Sequence, residues 1–136
     1  MNITSYLTFN GNCREAMTFY SACLGGQLHF QTVGDSPFAS NMPDHIKKAI
    51  LHATLTRGNM VIMGSDMVSE KGLVKGNAVS LMLHCNSEAE IKDLYKKLSK
   101  GGEAIHPLRI SFWGALFGDL LDKYGNQWLL HYADRK

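Results

Sequence analysis

Hydrophobic and polar positions alternate with period two in several short runs of this chain and recur at helical spacing in two others. Ile3 to Phe9 alternates as a strand does. Cys13, Ala16, Met17, Tyr20 and Leu24 then fall on one helical face, and Gln27 to Val33 returns to strand patterning. Ile50 to Thr56 and Asn59 to Met63 read as two strands joined at Arg57-Gly58. The pattern then restarts. Asn77 to Cys85 alternates, Ile91, Leu94, Tyr95 and Leu98 make a second helical face, and Glu103 to Ile110 is again a strand. Phe112 to Tyr132 closes the chain as two strands around the turn residues Lys123-Tyr124-Gly125-Asn126. In the last of these, Trp128, Leu130 and Tyr132 share one face, and Gln127, Leu129 and His131 share the other.

The punctuation repeats with the pattern. Asn12 and Ser87 stand as N-caps, with Glu15 and Glu90 three positions on as capping-box partners. Gly25-Gly26 and Gly101-Gly102 stop the two helices, because glycine takes the left-handed conformation at a helix end. Gly58-Asn59 and Gly125-Asn126 each precede a final strand. Each half therefore reads strand, capped helix, Gly-Gly and three strands, and fixed-order self-similarity is evidence of duplicated architecture. The expected organisation is one domain of two βαβββ modules, residues 1–66 and 77–136, around a linker at 67–76. Residues 35–48, with Pro37 and Pro43, form the least regular stretch, and long loops in compact domains are often functional.

Composition narrows the function classes. The chain has 136 residues, a 45% hydrophobic content and a net charge of +2, which suits an ordinary soluble domain. The basic residues make no broad patch, so no nucleic-acid partner is expected. No apolar run approaches the roughly 20 residues of a membrane span, and no membrane partner is expected. Met1 to Thr8 lacks the pattern of a signal peptide, which leaves the cytoplasm as the expected compartment. Cys13 and Cys23 lie about 15 Å apart if both sit on the first helix, too far to bridge. With Cys85 they read as small buried hydrophobes in a reducing compartment.

Duplicated βαβββ units of this size resemble the vicinal oxygen chelate superfamily of glyoxalases, bleomycin-resistance proteins and extradiol dioxygenases. The resemblance sharpens at Tyr6-Leu7-Thr8-Phe9-Asn10-Gly11-Asn12-Cys13-Arg14-Glu15-Ala16, at Phe19-Tyr20 and at Leu24-Gly25-Gly26. It sharpens again from Trp113 to Gly118 and from Asp122 to Trp128. These motifs are similar to the PhnB-like branch, which carries a demethylubiquinone methyltransferase label. No glycine-rich loop follows a parallel strand to hold a nucleotide-like methyl donor, so the label itself draws no support. The resemblance implies an α+β fold in which two modules form an incomplete, cupped β-barrel with the helices on the convex side. It also implies a homodimer.

The metal enzymes of that superfamily place His or Gln and Glu on the concave faces of the first, fourth, fifth and eighth strands. Counting from the repeated Gly-Asn puts the fourth- and eighth-strand positions at Ile62 and Leu129. The fifth falls at Ser80, and the first at Ser5, or at Thr4 or Tyr6 with a slip of one. Two aliphatic side chains and two hydroxyls make no transition-metal site. His84 and His131 lie along the same faces, but no H-x-H, HExxH or CxxC spacing accompanies them. No paired carboxylates, nucleophile elbow or Ser-His-Asp order marks a catalytic centre.

What remains is a set suited to holding a small molecule: Tyr6, Thr8, Ser80, Met82, His84, Trp113, Gln127, Leu129 and His131. Mainly apolar linings with a few orienting hydrogen-bonding groups are the usual composition of such sites. Trp128 has core parity and is assigned to packing, whereas Trp113 beside Gly114 is assigned to the pocket. Asp119, Asp122 and Lys123 read as solvated turn residues. The expectation is a metal-free, cofactor-free protein that binds a small organic ligand as a homodimer. The alternative is a metal-dependent lyase, isomerase or dioxygenase with atypical ligands at His84 and His131.

Overall fold

The computed structural model describes residues 1–37 and 39–134. Phe38, inside the irregular 35–48 stretch, and the last two positions lie outside the described residues. The chain divides into two compact units, Met1–Val74 and Lys75–Lys136.

In the first unit β1 (Ser5–Thr8) leads to α1 (Cys13–Leu24), β2 (Gln27–Thr32), the one-turn α2 (Asp44–Lys47), β3 (Ile50–Arg57) and β4 (Met60–Ser65). The sheet order is β1-β4-β3-β2, with β1 parallel to β4 and the other pairs antiparallel. The helix α1 lies on β2, β3 and β4. Its face of Cys13, Ala16, Met17, Tyr20 and Leu24 is buried with Phe9, Ala53, Leu55 and Ile62. Gly64 lets the helix approach, since a Cβ there would stand 3.1 Å from Phe9 Cε2 and 3.4 Å from Met17 Sδ.

The second unit repeats the order as β5 (Leu81–His84), α3 (Glu88–Ser99), β6 (Glu103–Ile110), β7 (Leu116–Leu121) and β8 (Gln127–Tyr132). Its sheet runs β5-β8-β7-β6, again with one parallel pair, β5 and β8. The helix α3 lies on β6, β7 and β8, burying Ile91, Leu94 and Leu98 with Leu120, Trp128 and Leu130. Two βαβββ modules with mixed four-stranded sheets thus make an α+β fold, as the sequence predicts.

The caps divide. Ser87 Oγ accepts from Glu90 N at 3.0 Å, and Glu90 Oε1 accepts from Asn86 N at 2.9 Å, so the second helix carries the reciprocal bonds expected. Asn12 makes no side-chain cap bond. The cap of α1 comes from across the sheet, where Asp66 Oδ1 accepts from Gly11 N at 3.0 Å and Cys13 N at 2.9 Å. Its Oδ2 accepts from Ile50 N at 2.9 Å, so one carboxylate ties the ends of three segments. At the other end of α1, Arg57 Nη1 donates to Leu24 O at 2.6 Å, a cation at the negative end of the helix.

Several boundaries move. The strand expected over Asn77 to Cys85 spans only Leu81–His84, which leaves Ser80 ahead of it. Ser111 to Gly114 is a closed turn held by Gly114 N to Ser111 O and Ser111 N to Ala115 O, so Trp113 sits in a turn and not at a strand start. The 35–48 stretch is folded into short helical turns at Ala39–Asn41 and Asp44–Lys47, with Ser36 buried. Asp122 is not a solvated turn residue. It is 2% exposed, and its carboxylate accepts from Tyr124 N, Asn126 N and Trp128 Nε1 at 2.8, 3.1 and 2.8 Å.

The repeat also registers differently from its Gly-Asn landmarks. Phe9 N bonds Ser65 O at the end of the first parallel ladder, and Cys85 N bonds His131 O at the end of the second, both at 2.8 Å. That pairing makes Ser65 the counterpart of His131, and hence Met63 the counterpart of Leu129. The cause is one extra residue. Arg57 pairs with Met60 across Gly58-Asn59, whereas Asp122 N reaches Asn126 O across three residues. A slip of one residue exchanges the two faces of a strand.

Candidate functional site

Register assigns each strand residue to a face, because directly paired residues point to the same side of a sheet. In the second unit Leu81, Trp128 and Leu120 form one row on the helix side. The open side carries two central rows. One is Met82, Leu129, Asp119 and His106, and the other is His84, His131, Phe117 and Arg109. Gln127 and Leu121 form a third row beyond them. Five of the nine site residues expected from the sequence, Met82, His84, Gln127, Leu129 and His131, therefore share this face. Trp113 comes to its edge, with its ring 5.6 Å from that of Phe117 and 4.8 Å from that of Phe112. Ser80 precedes β5 and belongs to no row of the sheet.

The remaining two, Tyr6 and Thr8, lie on the open face of the first unit, where they pair with Met63 and Ser65. Thr54 of β3 continues the Tyr6–Met63 row. Tyr6 Oη lies 3.2 Å from His52 Nδ1, and His52 Nε2 lies 3.0 Å from Thr54 Oγ1, which makes a three-member hydrogen-bonded chain. The tyrosine ring stays 52% exposed. The nine residues thus fall into two sets, one in each unit.

Polar organisation in the second unit is concentrated on β6 and β7. His106 Nδ1 contacts Asp119 Oδ1 at 2.8 Å, an ion pair when the imidazole is protonated. Tyr95 of α3 donates to the carbonyl oxygens of His106 and Asp119 at 3.1 and 2.8 Å, pinning both backbones from the helix side. Burial, with Asp119 nearby, pushes its phenol above the ordinary range, so it serves as a donor. The rings of His84 and His131 stand edge to face, 5.4 Å apart. At this end of β5 and β8 a shallow cavity of about 360 Å³ is lined by His84, Cys85, Asn86, Tyr132, Ala133 and Asp134.

Residues that the sequence reading missed include His52, His106, Arg109 and Phe117. His106 and Arg109 escaped because β6 shifts register twice, between Glu103 and His106 and again between His106 and Arg109. Simple alternation fails across bulges. Pro107, tolerated because β6 is an edge strand, is the signal in the sequence that pairing is irregular there.

The superfamily's metal can be tested against these donors. With Leu129 as the eighth-strand position, the ladders give Met63 as its counterpart in the fourth strand and Met82 and Tyr6 as their first-row partners. Ile62, which the Gly-Asn count selects, is on the helix side, paired with Leu55 and 5% exposed. Ser5 and Ser80 drop out of the set as well. Neither Tyr6 and Met63 in the first unit nor Met82 and Leu129 in the second offers the imidazole, thiolate or carboxylate ligands that a borderline divalent cation takes. Among the described residues no three His, Cys, Asp or Glu side chains converge on a point.

Comparison with known proteins agrees with the fold. The family model described as 3-demethylubiquinone-9 3-methyltransferase matches residues 1–131. The crystal structure of protein PA1353 from Pseudomonas aeruginosa is 36% identical with a TM-score of 0.85, over 99% of each chain. A PhnB protein from Bacillus cereus is 31% identical with a TM-score of 0.77, over 98% of this chain and 100% of its own. Protein YjdN of Escherichia coli is 29% identical over 100% of this chain and 98% of its own length. At the level of fold alone, a glyoxalase/bleomycin resistance protein/dioxygenase family enzyme from Burkholderia phytofirmans superposes with a TM-score of 0.65 at 14% identity, over 94% of this chain and 96% of its own. The chain belongs to the PhnB-like 3-demethylubiquinone-9 3-methyltransferase family, and its fold is that of the glyoxalase/bleomycin resistance proteins.

Proposed function

We propose that this protein is a metal-free binding domain that holds a small organic ligand without transforming it, working in the cytoplasm as a homodimer. The observation that carries the reading is the replacement of every expected ligand position by Tyr6, Met63, Met82 and Leu129 on an otherwise intact scaffold. Methionine adapts to irregular apolar surfaces and aromatic edges, and Met82 is 46% exposed where a ligand would meet it. On the first unit's open face Tyr6 and His52 are polar groups of the kind that orient a ligand in such sites, and His84 and His131 are their equivalents on the second unit's. Ile105 and Ile110, at 44% and 70% exposure on the edge strand β6, give apolar area suited to a second copy. Three free buried thiols accord with a reducing compartment.

Methyl transfer is not part of the proposal. Each sheet is mixed with a single parallel pair, and no glycine-rich turn leads from a parallel strand into α1 or α3. A second reading, a metal-dependent lyase, isomerase or dioxygenase, rests on the closeness of His84 and His131. The two readings separate on one preparation. Protein purified without added metal should carry no stoichiometric transition metal, and a His131→Ala variant should leave metal content unchanged. A bound metal lost in that variant would favour the enzyme.

A further inference from the structure

We infer that the open face of the second unit selects a flat aromatic carboxylate, an inference that rests on the small-molecule reading above. The row His84, His131, Phe117 and Arg109 crosses all four strands of the sheet. It carries a cation at one end, two imidazoles at the other and an aromatic ring between. Arg109 is exposed and makes no hydrogen bond or ion pair with any described residue, so its guanidinium remains available. The neighbouring acid, Asp119, is already engaged by His106 at 2.8 Å. Glu103 belongs to the far row with Leu121, and Asp134 to the cavity lining past the strand end. The row itself therefore contains no acid.

The shape of the ligand follows from the rings. Trp113 stands edge-on to Phe117 with an interplanar angle of 70°, and Phe112 stands edge-on to Trp113 at 86°. Such a cluster leaves aromatic faces and edges free for a flat partner, since aromatic pairs favour offset-stacked and edge-to-face contact. A guanidinium accepts a carboxylate as a two-point fork, which fixes orientation as well as charge. Either imidazole can donate a further bond even when neutral, through whichever ring nitrogen bears the proton. A ring against Phe117 and Trp113 with its carboxylate toward Arg109 uses the cation and the aromatic groups together, and the imidazoles at the far end are left for any further acceptor on the ligand.

Titration calorimetry of the full chain with 2-naphthoate and the isosteric 2-naphthamide tests this. The acid should bind about ten-fold more tightly than the amide, the scale of one charge-assisted contact. Arg109→Gln should abolish that preference, and Arg109→Lys should restore part of it. Trp113→Leu should weaken both probes by roughly five-fold, as loss of an aromatic contact does. Equal binding of acid and amide, or a preference that survives Arg109→Gln, overturns the inference while leaving small-molecule binding intact. If neither probe binds, the inference and the binding role of this face fail together.

Discussion

His84 and His131 are direct register partners on adjacent parallel strands, with ring centroids 5.4 Å apart, His84 exposed and His131 half-buried. Their side chains lie on the open face, opposite Leu83 and Leu130. Fold stability should therefore be nearly indifferent to them. His84→Ala and His131→Ala should each change unfolding free energy by about 0.5 kcal/mol or less in urea titrations, as exposed substitutions do. Leu130→Ala, one position away but fully buried, should cost roughly 3 kcal/mol.

Two aspartates hold the units from within. Asp66 caps α1 and the start of β3 through three backbone N–H groups, and Asp122 accepts from two backbone N–H groups and an indole. Substituting Asp66 by Ala should cost about 2 kcal/mol, the upper range for an N-cap. Asp122→Ala, which strands buried donors, should cost about 3 kcal/mol. Denaturant midpoints would rank them, with Asp122 the more severe.

Gly26 and Gly102, the second glycine of each helix stop, are not equivalent to glycines in open turns. A Cβ on Gly102 would overlap the Leu121 carbonyl oxygen, and one on Gly26, already at φ +100°, would sit 2.5 Å from Thr56 O. Gly114 has φ +87° but open space around it. Gly114→Ala should cost about 1 kcal/mol from backbone conformation alone. Gly26→Ala and Gly102→Ala should cost roughly 3 kcal/mol or more, because the strands must separate.

The thiols give a pH signature. Burial pushes Cys13 up to about 12, helped by Asp66 and opposed by Arg14, and burial with Glu90 pushes Cys85 up to about 11. An ordinary free thiol titrates near 9.0. The native state holds these protons more tightly than the unfolded chain, so stability is constant below about pH 9 and falls as pH rises toward 11 and 12. Iodoacetamide at pH 8 should label both sites far more slowly in native protein than in urea. Equal rates would contradict the burial assigned to them.

The element order, both helices and the helix-side core were legible in the sequence because periodicity reports burial directly. Leu94 and Leu98 mark one such face, and Trp128 another. The site was less so. The three-residue turn Lys123–Gly125 displaces the Gly-Asn landmark by one position, which sent the count to buried Ile62 in place of Met63. Bulges around Pro107 hid His106 and Arg109. Asp66 as a cap was invisible because its partners lie 55 and 53 residues away. Asp122 read as solvent-facing because its position in a turn concealed the indole it serves. The failures are one-residue slips, a cap reaching more than 50 residues along the chain, and a turn carboxylate turned inward to an indole six residues on, none of which composition or alternation encodes.

The most direct test of the central claim is metal content by mass spectrometry on freshly purified protein, with the native mass taken from the same sample. The account predicts a dimer without stoichiometric transition metal, its native mass shifted only by any small organic molecule retained through purification. One transition-metal ion per chain, surviving dialysis, would contradict it and make a metal enzyme the better description.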